Sequence, residues 1–582
     1  MKSLSSDAAR RRRLLTRAVP IAAIAIAAFS AGMVCAAGST PETEAADRFA
    51  SSLARQDFGS MHEELNPASQ RRYSPEELRN AYLEAQETTT LRSIDPGEAE
   101  GTESVDGGDA VTVPVRASTV SFGRFEARLT LPFADGGIEW GPHLVFPGLR
   151  PGERLDSEIE LGHRAEIRAR DGTPLATGPP KARSSPLGSA AIDISGLVGE
   201  PEPSELPELA RQGYPPGTPV GVSGLERAFN RRLAGRSGGL LIAESAQGGE
   251  RVLAQGEPRP GNPVMTSIDR DLQLAAVAGL AGRSGGVAVL DTRTGAVRAL
   301  AGSAFSAPQP PGSTFKIVTT TAALEQDVVE LDDQFPVTDG INVGGRFIAN
   351  ANDELCGGSF AASFAASCNA VFAPLGPEIG EEDLVDTAER YGFNSVPTLY
   401  DEAATAATDP PSPTIPEDVG SDLDLGVTAI GQGQVLATPL QMASVAQTVA
   451  NRGTRMPTPI VSARGLQSDA EPQRVTSPQI AAQLRELMIG VVAGGTGSAA
   501  ALPGGIQVAG KTGTAELGPK PNAPEPPPGE DPEQILDAWF AAFAPAQKPR
   551  LAVSVLLIDA EADGGVVAAP VARDVLAAGL LD

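Results

Sequence analysis

The chain has 582 residues, with 46 Lys or Arg against 73 Asp or Glu, so its formal net charge is −27. This length is several times the roughly 150 residues of one domain, which excludes a peptide hormone or small toxin. This net negative charge would repel a polyanion such as a nucleic acid, so we predict no nucleic-acid partner. Three cysteines and three histidines are too few for a disulfide-rich scaffold, and we predict no metal site and no cofactor.

The amino terminus combines a basic segment with an apolar one. Four consecutive arginines, residues 10–13, precede an uncharged run whose apolar part is about long enough to cross a bilayer as a helix. The basic flank predicts a cytoplasmic tail over 1–17, a single-pass signal anchor over 18–40 in the cell membrane, and an extracellular body. A signal peptide cleaved near Ala36 and a lipoprotein anchored through Cys35 stay open as alternatives.

Outside the cytoplasm, two of the cysteines can pair. Cys356 and Cys368 lie close together in the sequence, and an oxidising compartment permits a disulfide between them. We predict this bond. Two independent buried thiols are the alternative, since spacing alone does not establish the geometry.

Three segments follow the predicted anchor, and together they indicate a multidomain α+β protein. Residues 41–150 show helical periodicity for two helices and then strict alternation of apolar and polar residues, which predicts helices followed by an antiparallel sheet. Residues 151–262 are rich in turns and indicate a β-rich connecting domain. Residues 263–582 predict a larger unit whose sheet is assembled from strands near both of its ends, with alanine-rich helices between them.

Lysine is rare in this chain, so the lysines of the larger unit are candidates for catalytic residues. The chain has only six lysines, and its histidines all precede residue 263. A Ser-His-Asp triad therefore cannot form from the unit's own residues. Lysine can lose its proton when it is desolvated, whereas arginine stays charged, so lysine is the better candidate for a base.

The first motif contains Ser313 and Lys316, after a Pro-Gly break and before a helical segment. The spacing of three places both side chains on one helix face, at the amino-terminal end that favours an oxyanion. An unprotonated Lys316 can then take the proton of Ser313 and activate it as a nucleophile. The alternative for Ser313 is a plain helix cap.

The second motif contains Ser367 and Asn369 with Cys368 between them. The hydroxyl of Ser367 can relay a proton, and the amide of Asn369 can hold a substrate peptide group. Serine and asparagine at this spacing also occur in ordinary turns.

The third motif is Lys511, Thr512, Gly513 and Thr514, after a segment that is typical of a strand. On a strand the lysine and the glycine share one face and the two threonines share the other. Gly513 permits close approach of a substrate backbone, the threonine hydroxyls can bind a carboxylate, and Lys511 supplies positive potential.

In this order, the three motifs resemble the set of penicillin-binding proteins and serine β-lactamases. The chain is similar to a class B high-molecular-weight penicillin-binding protein of actinobacterial type over nearly its whole length. Segments 164–176 and 224–235 resemble the pedestal signatures of that family, and 430–443 resembles its glycine-rich segment below the active site. The resemblance implies an NTF2-like domain over 41–150, a dimerisation or pedestal domain over 151–262, and a transpeptidase domain over 263–582, with an antiparallel sheet flanked by helices.

The resemblance also implies a role for each motif residue. The backbone N–H groups of Ser313 and Thr514 would form the oxyanion hole. The implied site residues are the nucleophile Ser313, its base Lys316, the proton relay Ser367, the donor-peptide ligand Asn369, and Lys511, Thr512, Gly513 and Thr514 for the substrate carboxylate. Two departures from the family pattern are Cys368 inside the second motif and the pedestal segment RAEIRARDG, which lacks the usual Arg-Gly and Asp-Arg pairs.

The implied reaction is acyl transfer between peptidoglycan stem peptides. The serine attacks a D-Ala-D-Ala bond, releases D-Ala and passes the acyl group to an amine of a neighbouring strand, and β-lactams mimic the dipeptide. The implied partners are a polytopic membrane glycosyltransferase and proteins of cell division or elongation.

Other interpretations of the same motifs are possible. Residues 42–147 are too few for the glycosyltransferase domain of a class A protein. A D,D-carboxypeptidase, a β-lactamase, a β-lactam sensor and a protein that serves mainly as a scaffold are the remaining alternatives.

Overall fold

A computed structural model gives the fold of the chain over residues 40–105, 108–401, 410–521 and 532–581. The predicted cytoplasmic tail and the predicted anchor up to residue 39, Cys35 included, lie outside these residues. Among the residues that the structure describes, no helix has the length and apolar character needed to span a membrane.

The chain forms two compact units. Among the described residues, one unit consists of those within 40–162, 202–217 and 235–260, and the other of those within 163–201, 218–234 and 261–581. Both units therefore include parts of the segment 151–262. The predicted domain boundaries at 150 and 262 stay predictions.

The first unit begins with helices whose starts are set by local sequence. Each follows a side chain, Thr40, Asp57, Asn66 or Ser74, that accepts a hydrogen bond from the first turn. The helices described between residues 40 and 90 are α1 (Pro41–Arg55), α2 (Phe58–Glu63), α3 (Pro67–Arg72) and α4 (Pro75–Thr89). Two helices were predicted for this region. The structure adds the short helices α2 and α3, because Asp57 and Asn66 each cap the start of a further helix.

Two antiparallel sheets complete the first unit. The first sheet runs in the order β1-β3-β4-β5 with β2 paired to β3, and its strands are β1 (Leu91–Pro96), β2 (Glu100–Val105), β3 (Gly108–Thr119), β4 (Arg124–Ala134) and β5 (Gly137–Ile138). Alternate residues of β3 and β4, such as Val113 and Leu131, share a core with Phe49 and Leu78 of the helices. The second sheet has the order β12-β11-β6, with β6 (Glu153–Leu161), β11 (Ser237–Ser245) and β12 (Glu250–Gly256). A short helix, α6 (Leu206–Arg211), belongs to the same unit.

Short elements of the second unit bring the two predicted pedestal segments together. They are β7 (Ile167–Arg168), β8 (Pro174–Ala176), α5 (Ile192–Ser195), β9 (Val198–Gly199), β10 (Val220–Gly221), α7 (Gly224–Ala228), α8 (Asn230–Ala234) and β13 (Val264–Met265). Arg164 Nε donates to Glu226 Oε2 at 2.8 Å, and Arg183 Nε donates to Glu226 Oε1 at 2.7 Å. The side chain of Glu226 is fully buried, so these two arginines neutralise a charge inside the unit.

A five-stranded antiparallel sheet organises the rest of the second unit. Its order is β15-β14-β24-β23-β22, and its strands are β14 (Gly285–Asp291), β15 (Val297–Gly302), β22 (Ala509–Pro519), β23 (Gln534–Ala544) and β24 (Leu551–Leu557). As predicted, strands from both ends of the segment form one sheet. The strand β22, which carries the third motif, lies at its edge.

Helices cover both faces of this sheet, which explains why its central strands are apolar at successive positions. Val287 and Phe540 face one core, and Ala288 and Trp539 face the other. The larger helices and the remaining short strands described after residue 261 are α9 (Arg270–Leu280), α10 (Lys316–Glu325), β16 (Gln334–Thr338), β17 (Gly340–Val343), β18 (Arg346–Ala349), β19 (Cys356–Ser359), α11 (Phe360–Ala366), α12 (Asn369–Ile379), α13 (Glu381–Tyr391), α14 (Asp422–Ala429), α15 (Pro439–Ala450), β20 (Thr454–Arg455), β21 (Gln473–Arg474), α16 (Pro478–Ala493) and α17 (Gly564–Leu580).

Candidate active site

The first motif lies where a 3₁₀ turn, Gly312–Phe315, runs into α10. A 3₁₀ turn has three residues per turn, so side chains at positions i and i+3 lie directly above one another. Ser313 is half-buried and Lys316 is fully buried one turn later. The predicted shared face is present, with 3₁₀ rather than α geometry at the serine. Within the described part of the chain, no hydrogen bond joins the Ser313 hydroxyl to another group.

Two glycines let this turn lie directly against β22. Gly312 has φ of +52°, and a Cβ there would come within 2.6 Å of the Thr514 carbonyl oxygen. A Cβ on Gly513 would lie 2.8 Å from the carbonyl oxygen of Pro311. Only glycine permits this approach without displacing the backbone. The backbones of Ser313 and Thr514, whose N–H groups the sequence predicts as the oxyanion hole, therefore lie on segments that are in contact.

Lys316 is held by the second motif. Its Nζ donates to the Ser367 carbonyl oxygen at 2.7 Å and to Asn369 Oδ1 at 2.8 Å, and lies 3.4 Å from Ser367 Oγ. The Phe372 ring lies on another side, with its centroid 5.2 Å from the amine. Burial, and secondly the neighbouring Lys511, hold the pKa of Lys316 well below that of a free lysine.

Lys511 approaches the same serine from the strand. Its Nζ donates to Ser367 Oγ at 2.8 Å and to the Thr512 carbonyl oxygen at 3.1 Å, and it lies 5.6 Å from the centroid of the Phe364 ring. The side chain is fully buried. Burial lowers the pKa of Lys511 to about 7. The Ser367 hydroxyl therefore bridges two buried amines that do not favour being charged together.

The backbone of Ser367 adopts an uncommon conformation that makes this bridge possible. Ser367 ends α11 with φ of +61°, in the left-handed region, and Cys368 caps the start of α12. Such a conformation costs a residue other than glycine about 1–2 kcal/mol. The turn directs both the carbonyl and the hydroxyl of Ser367 to lysines.

Asn369 is engaged on both sides of its amide. In addition to its bond with Lys316, its Nδ2 donates to the Ala349 carbonyl oxygen at 2.9 Å. Each side of the amide can make one more hydrogen bond, so Asn369 can position Lys316 and still contact a ligand.

The structure joins Cys356 and Cys368 as a disulfide, with their Cα atoms 5.8 Å apart. The bond links β19 to the residue between Ser367 and Asn369. Asn350 supports the same loop, because its Oδ1 accepts from the N–H of Ala370 at 2.9 Å.

The threonines of the third motif face away from the two lysines, as strand alternation predicts. Thr512 Oγ1 lies 2.6 Å from Thr496 Oγ1, and Thr514 Oγ1 donates to Asp563 Oδ1 at 3.2 Å. Asn352 donates to the other oxygen of Asp563 at 3.1 Å. Thr496 and Asp563 lie outside the motifs that the sequence shows. Asp563 is the residue directly before α17, and an aspartate before a helical segment is a signal that the sequence offers.

The structure thus brings Lys316, Ser367, Asn369 and Lys511 into one hydrogen-bonded group. It places Ser313 one turn from this group and against the strand at Gly513 and Thr514. The described residues contain no cluster of His, Cys, Asp or Glu that could hold a metal ion.

Comparison with known protein families identifies the class. Residues 285–577, half of the chain, match the penicillin-binding protein transpeptidase domain, and residues 163–266 match the penicillin-binding protein dimerisation domain. The chain therefore belongs to the penicillin-binding protein transpeptidase family, and its fold is multidomain α+β with a dimerisation and a transpeptidase domain. The predicted family is confirmed. The NTF2-like assignment of residues 41–150 stays a prediction.

Among curated relatives, the chain is similar to the peptidoglycan D,D-transpeptidase PbpA of Mycobacterium tuberculosis, with 37% identity over 301 residues, 48% of this chain and 57% of the relative. It is also similar to stage V sporulation protein D of Bacillus subtilis, with 32% identity over 284 residues, 46% of this chain and 41% of the relative. The chain spans about half the length of the curated relatives it matches.

Solved structures agree with this class. The D,D-transpeptidase domain of a peptidoglycan glycosyltransferase from Eggerthella lenta is 28% identical with a TM-score of 0.56, covering 72% of this chain and 99% of that one. Penicillin-binding protein A of M. tuberculosis, solved as its penicillin G acyl-enzyme complex, is 28% identical with a TM-score of 0.54, covering 72% and 100%.

Proposed function

We propose that the protein is a serine-type peptidoglycan D,D-transpeptidase that is acylated by β-lactams. The observation that carries this proposal is the sharing of Ser367 by two fully buried lysines, beside a serine on a helical turn. This arrangement supplies a nucleophile, a neutral base and a proton relay without a histidine.

Each proton has an acceptor in this arrangement. Lys316, neutral because it is buried, takes the proton of Ser313 as the oxygen attacks the D-Ala-D-Ala carbonyl. The developing oxyanion accepts hydrogen bonds from the N–H groups of Ser313 and Thr514. The Ser367 hydroxyl then gives its proton to the departing amine and regains one from Lys316.

The edge position of β22 suits an extended peptide substrate. An edge strand presents backbone groups that can pair with an added strand, and Gly513 leaves room for a close approach. Lys511 supplies positive potential toward the substrate carboxylate. Thr512 and Thr514 would reach that carboxylate by exchanging their bonds with Thr496 and Asp563.

The proposed setting is the outer face of the cell membrane, with residues 18–40 as a single-pass anchor and the body extracellular. Peptidoglycan stem peptides are the proposed substrates. A polytopic membrane glycosyltransferase and proteins of division or elongation are the proposed partners, and a pull-down of the full chain from detergent extracts tests this. Failure to recover a polytopic glycosyltransferase would remove that part of the proposal.

Covalent labelling with a fluorescent penicillin tests the activity. We expect stable label on the wild-type chain, none on Ser313→Ala, and normal label on the matched control Ser306→Ala, an exposed serine seven residues earlier. Rapid loss of label with hydrolysed drug would instead identify a β-lactamase.

A D-Ala-D-Ala thioester with a D-amino acid acceptor separates the remaining functions. Aminolysis supports a transpeptidase, and hydrolysis without aminolysis identifies a carboxypeptidase. If folded protein neither reacts with the thioester nor takes label, and a Ser313→Ala allele supports growth, the protein serves as a scaffold and the proposal is wrong.

A further inference from the structure

A cavity of about 850 Å³ lies at one end of the five-stranded sheet and shares no residue with the site around Ser313. The β14–β15 turn, the segment before β24 and the ends of α15 and α17 line it. Small-molecule sites usually enclose roughly 300–1,000 Å³, so this cavity has the size of a ligand site.

The cavity is rich in positive charge, although the chain as a whole carries −27. Three acidic side chains, Asp269, Asp271 and Asp291, line it. The cationic side chains around it are Arg170, Arg293, Arg298, Arg452, Lys548 and Arg550. Six cations against three acids leave three positive charges in excess.

In the described ranges of the chain, four of the six cationic side chains are not paired with a carboxylate: Arg293, Arg452, Lys548 and Arg550. Arg298 pairs with Asp291 at 2.9 Å, Arg170 pairs with Asp269 at 3.1 Å, and Asp271 pairs with Arg270 outside the lining. The other four cations have no carboxylate within 4.0 Å among the residues that the structure describes. Guanidinium groups suit phosphate oxygens because they donate two parallel hydrogen bonds.

A second, independent observation points to a ligand. Thr292 lines the cavity and is only 1% exposed, and its hydroxyl has no hydrogen-bond partner in the described chain. Its backbone is fixed, because its N–H donates to the Arg550 carbonyl oxygen at 3.1 Å and its carbonyl accepts from Gln447 at 2.8 Å. A buried hydroxyl without a partner is costly. This hydroxyl has almost no accessible surface, so a bound oxyanion would satisfy it after a rotation of the side chain toward the cavity.

We propose that this cavity is a binding site for a small molecule that carries a diphosphate group. The two or three negative charges of a diphosphate match the excess positive charge, and its oxygens can accept from several arginines and from Thr292 together. The group can belong to a free diphosphate or to the headgroup of a lipid-linked compound. The site is independent of the proposed transpeptidase activity.

Calorimetric titration of the full chain in neutral detergent, at fixed ionic strength, tests this site. We expect saturable 1:1 binding of pyrophosphate and much weaker binding of sulfate. Arg293→Gln with Arg550→Gln should weaken pyrophosphate binding at least tenfold, whereas the control pair Arg485→Gln with Arg573→Gln, arginines outside the cavity, should not. Thr292→Val should weaken it severalfold with unchanged penicillin labelling, which verifies folding.

Hexyl diphosphate distinguishes the two sources. Tighter binding than pyrophosphate indicates a lipid-linked ligand, and equal binding indicates a free diphosphate. The proposal is overturned if pyrophosphate does not bind, if sulfate binds equally well, or if both arginine pairs have the same effect.

Discussion

Replacing Lys511 with methionine should stabilise the folded protein at neutral and acidic pH and at the same time reduce penicillin acylation. The pKa of Lys511 falls from 10.5 to about 7 because the side chain is buried. At about 1.4 kcal/mol per pKa unit, the buried lysine costs the folded state about 5 kcal/mol at pH 6. The unfolded chain binds the proton more readily between pH 7 and 10.5, so the stability of the wild-type protein rises with pH across this window.

Methionine has a similar length and no charge, so Lys511→Met removes this cost. The variant also loses the hydrogen bonds to Ser367 Oγ and to the Thr512 carbonyl oxygen, at about 1–3 kcal/mol. We therefore expect the variant to be about 2–4 kcal/mol more stable than wild type at pH 6. Near pH 10.5 it should be about 1–3 kcal/mol less stable. Penicillin labelling should fall at least tenfold at every pH.

Fluorescence of Trp539 reports on this region directly, because Trp539 pairs with Gly513 on the neighbouring strand. The chain has two tryptophans, so the denaturant titrations use a Trp140→Phe background. Lys181→Met, at an exposed lysine of the same unit, is the control and should show no pH-dependent difference. A stability difference for Lys511→Met that stays constant between pH 6 and 10 would refute the burial argument.

Three further outcomes follow from the same structure. Because burial holds the pKa of Lys316 well below that of a free lysine, penicillin acylation should reach its plateau well below pH 10.5; a tenfold rise per pH unit that continues to pH 10 would show an ordinary lysine. Gly312→Ala should abolish label on folded protein, whereas Gly345→Ala, which also has positive φ but open space around its Cβ, should retain it. Glu226→Gln should lower the free energy of unfolding by about 3–5 kcal/mol, measured by denaturant titration, because Arg164 stays buried and charged; a loss below 1 kcal/mol would contradict this.

The sequence predicted the sheet strands of the second unit and the order of the three motifs. Apolar runs at 287–301, 539–545 and 551–557 correspond to strands of the one sheet. Local patterns could not predict the order in which these strands pair, because pairing depends on long-range packing. The edge position of β22 was therefore visible only in the structure.

The candidate site was predictable where residue type alone carries the chemistry. Lysine scarcity drew attention to Lys316, for which a neutral amine is the property required, and to Lys511, for which the predicted role was positive potential. The partners of Thr512 and Thr514 were missed because Thr496 and Asp563 are polar residues of common type whose roles come from tertiary contact. Likewise, the left-handed backbone of Ser367 has no signal in the sequence.

The site combines two lysines from distant segments of the chain around one serine. A single buried lysine could serve as a base, but the base must regain a neutral form after each proton transfer. Lys316 on α10 and Lys511 on β22 both contact Ser367, so protonation of either lowers the proton affinity of the other. In the proposed mechanism, this mutual repulsion would return a proton to Ser367. Arginine at either position would hold a permanent charge, which is why an arginine-rich chain keeps lysine at these two positions.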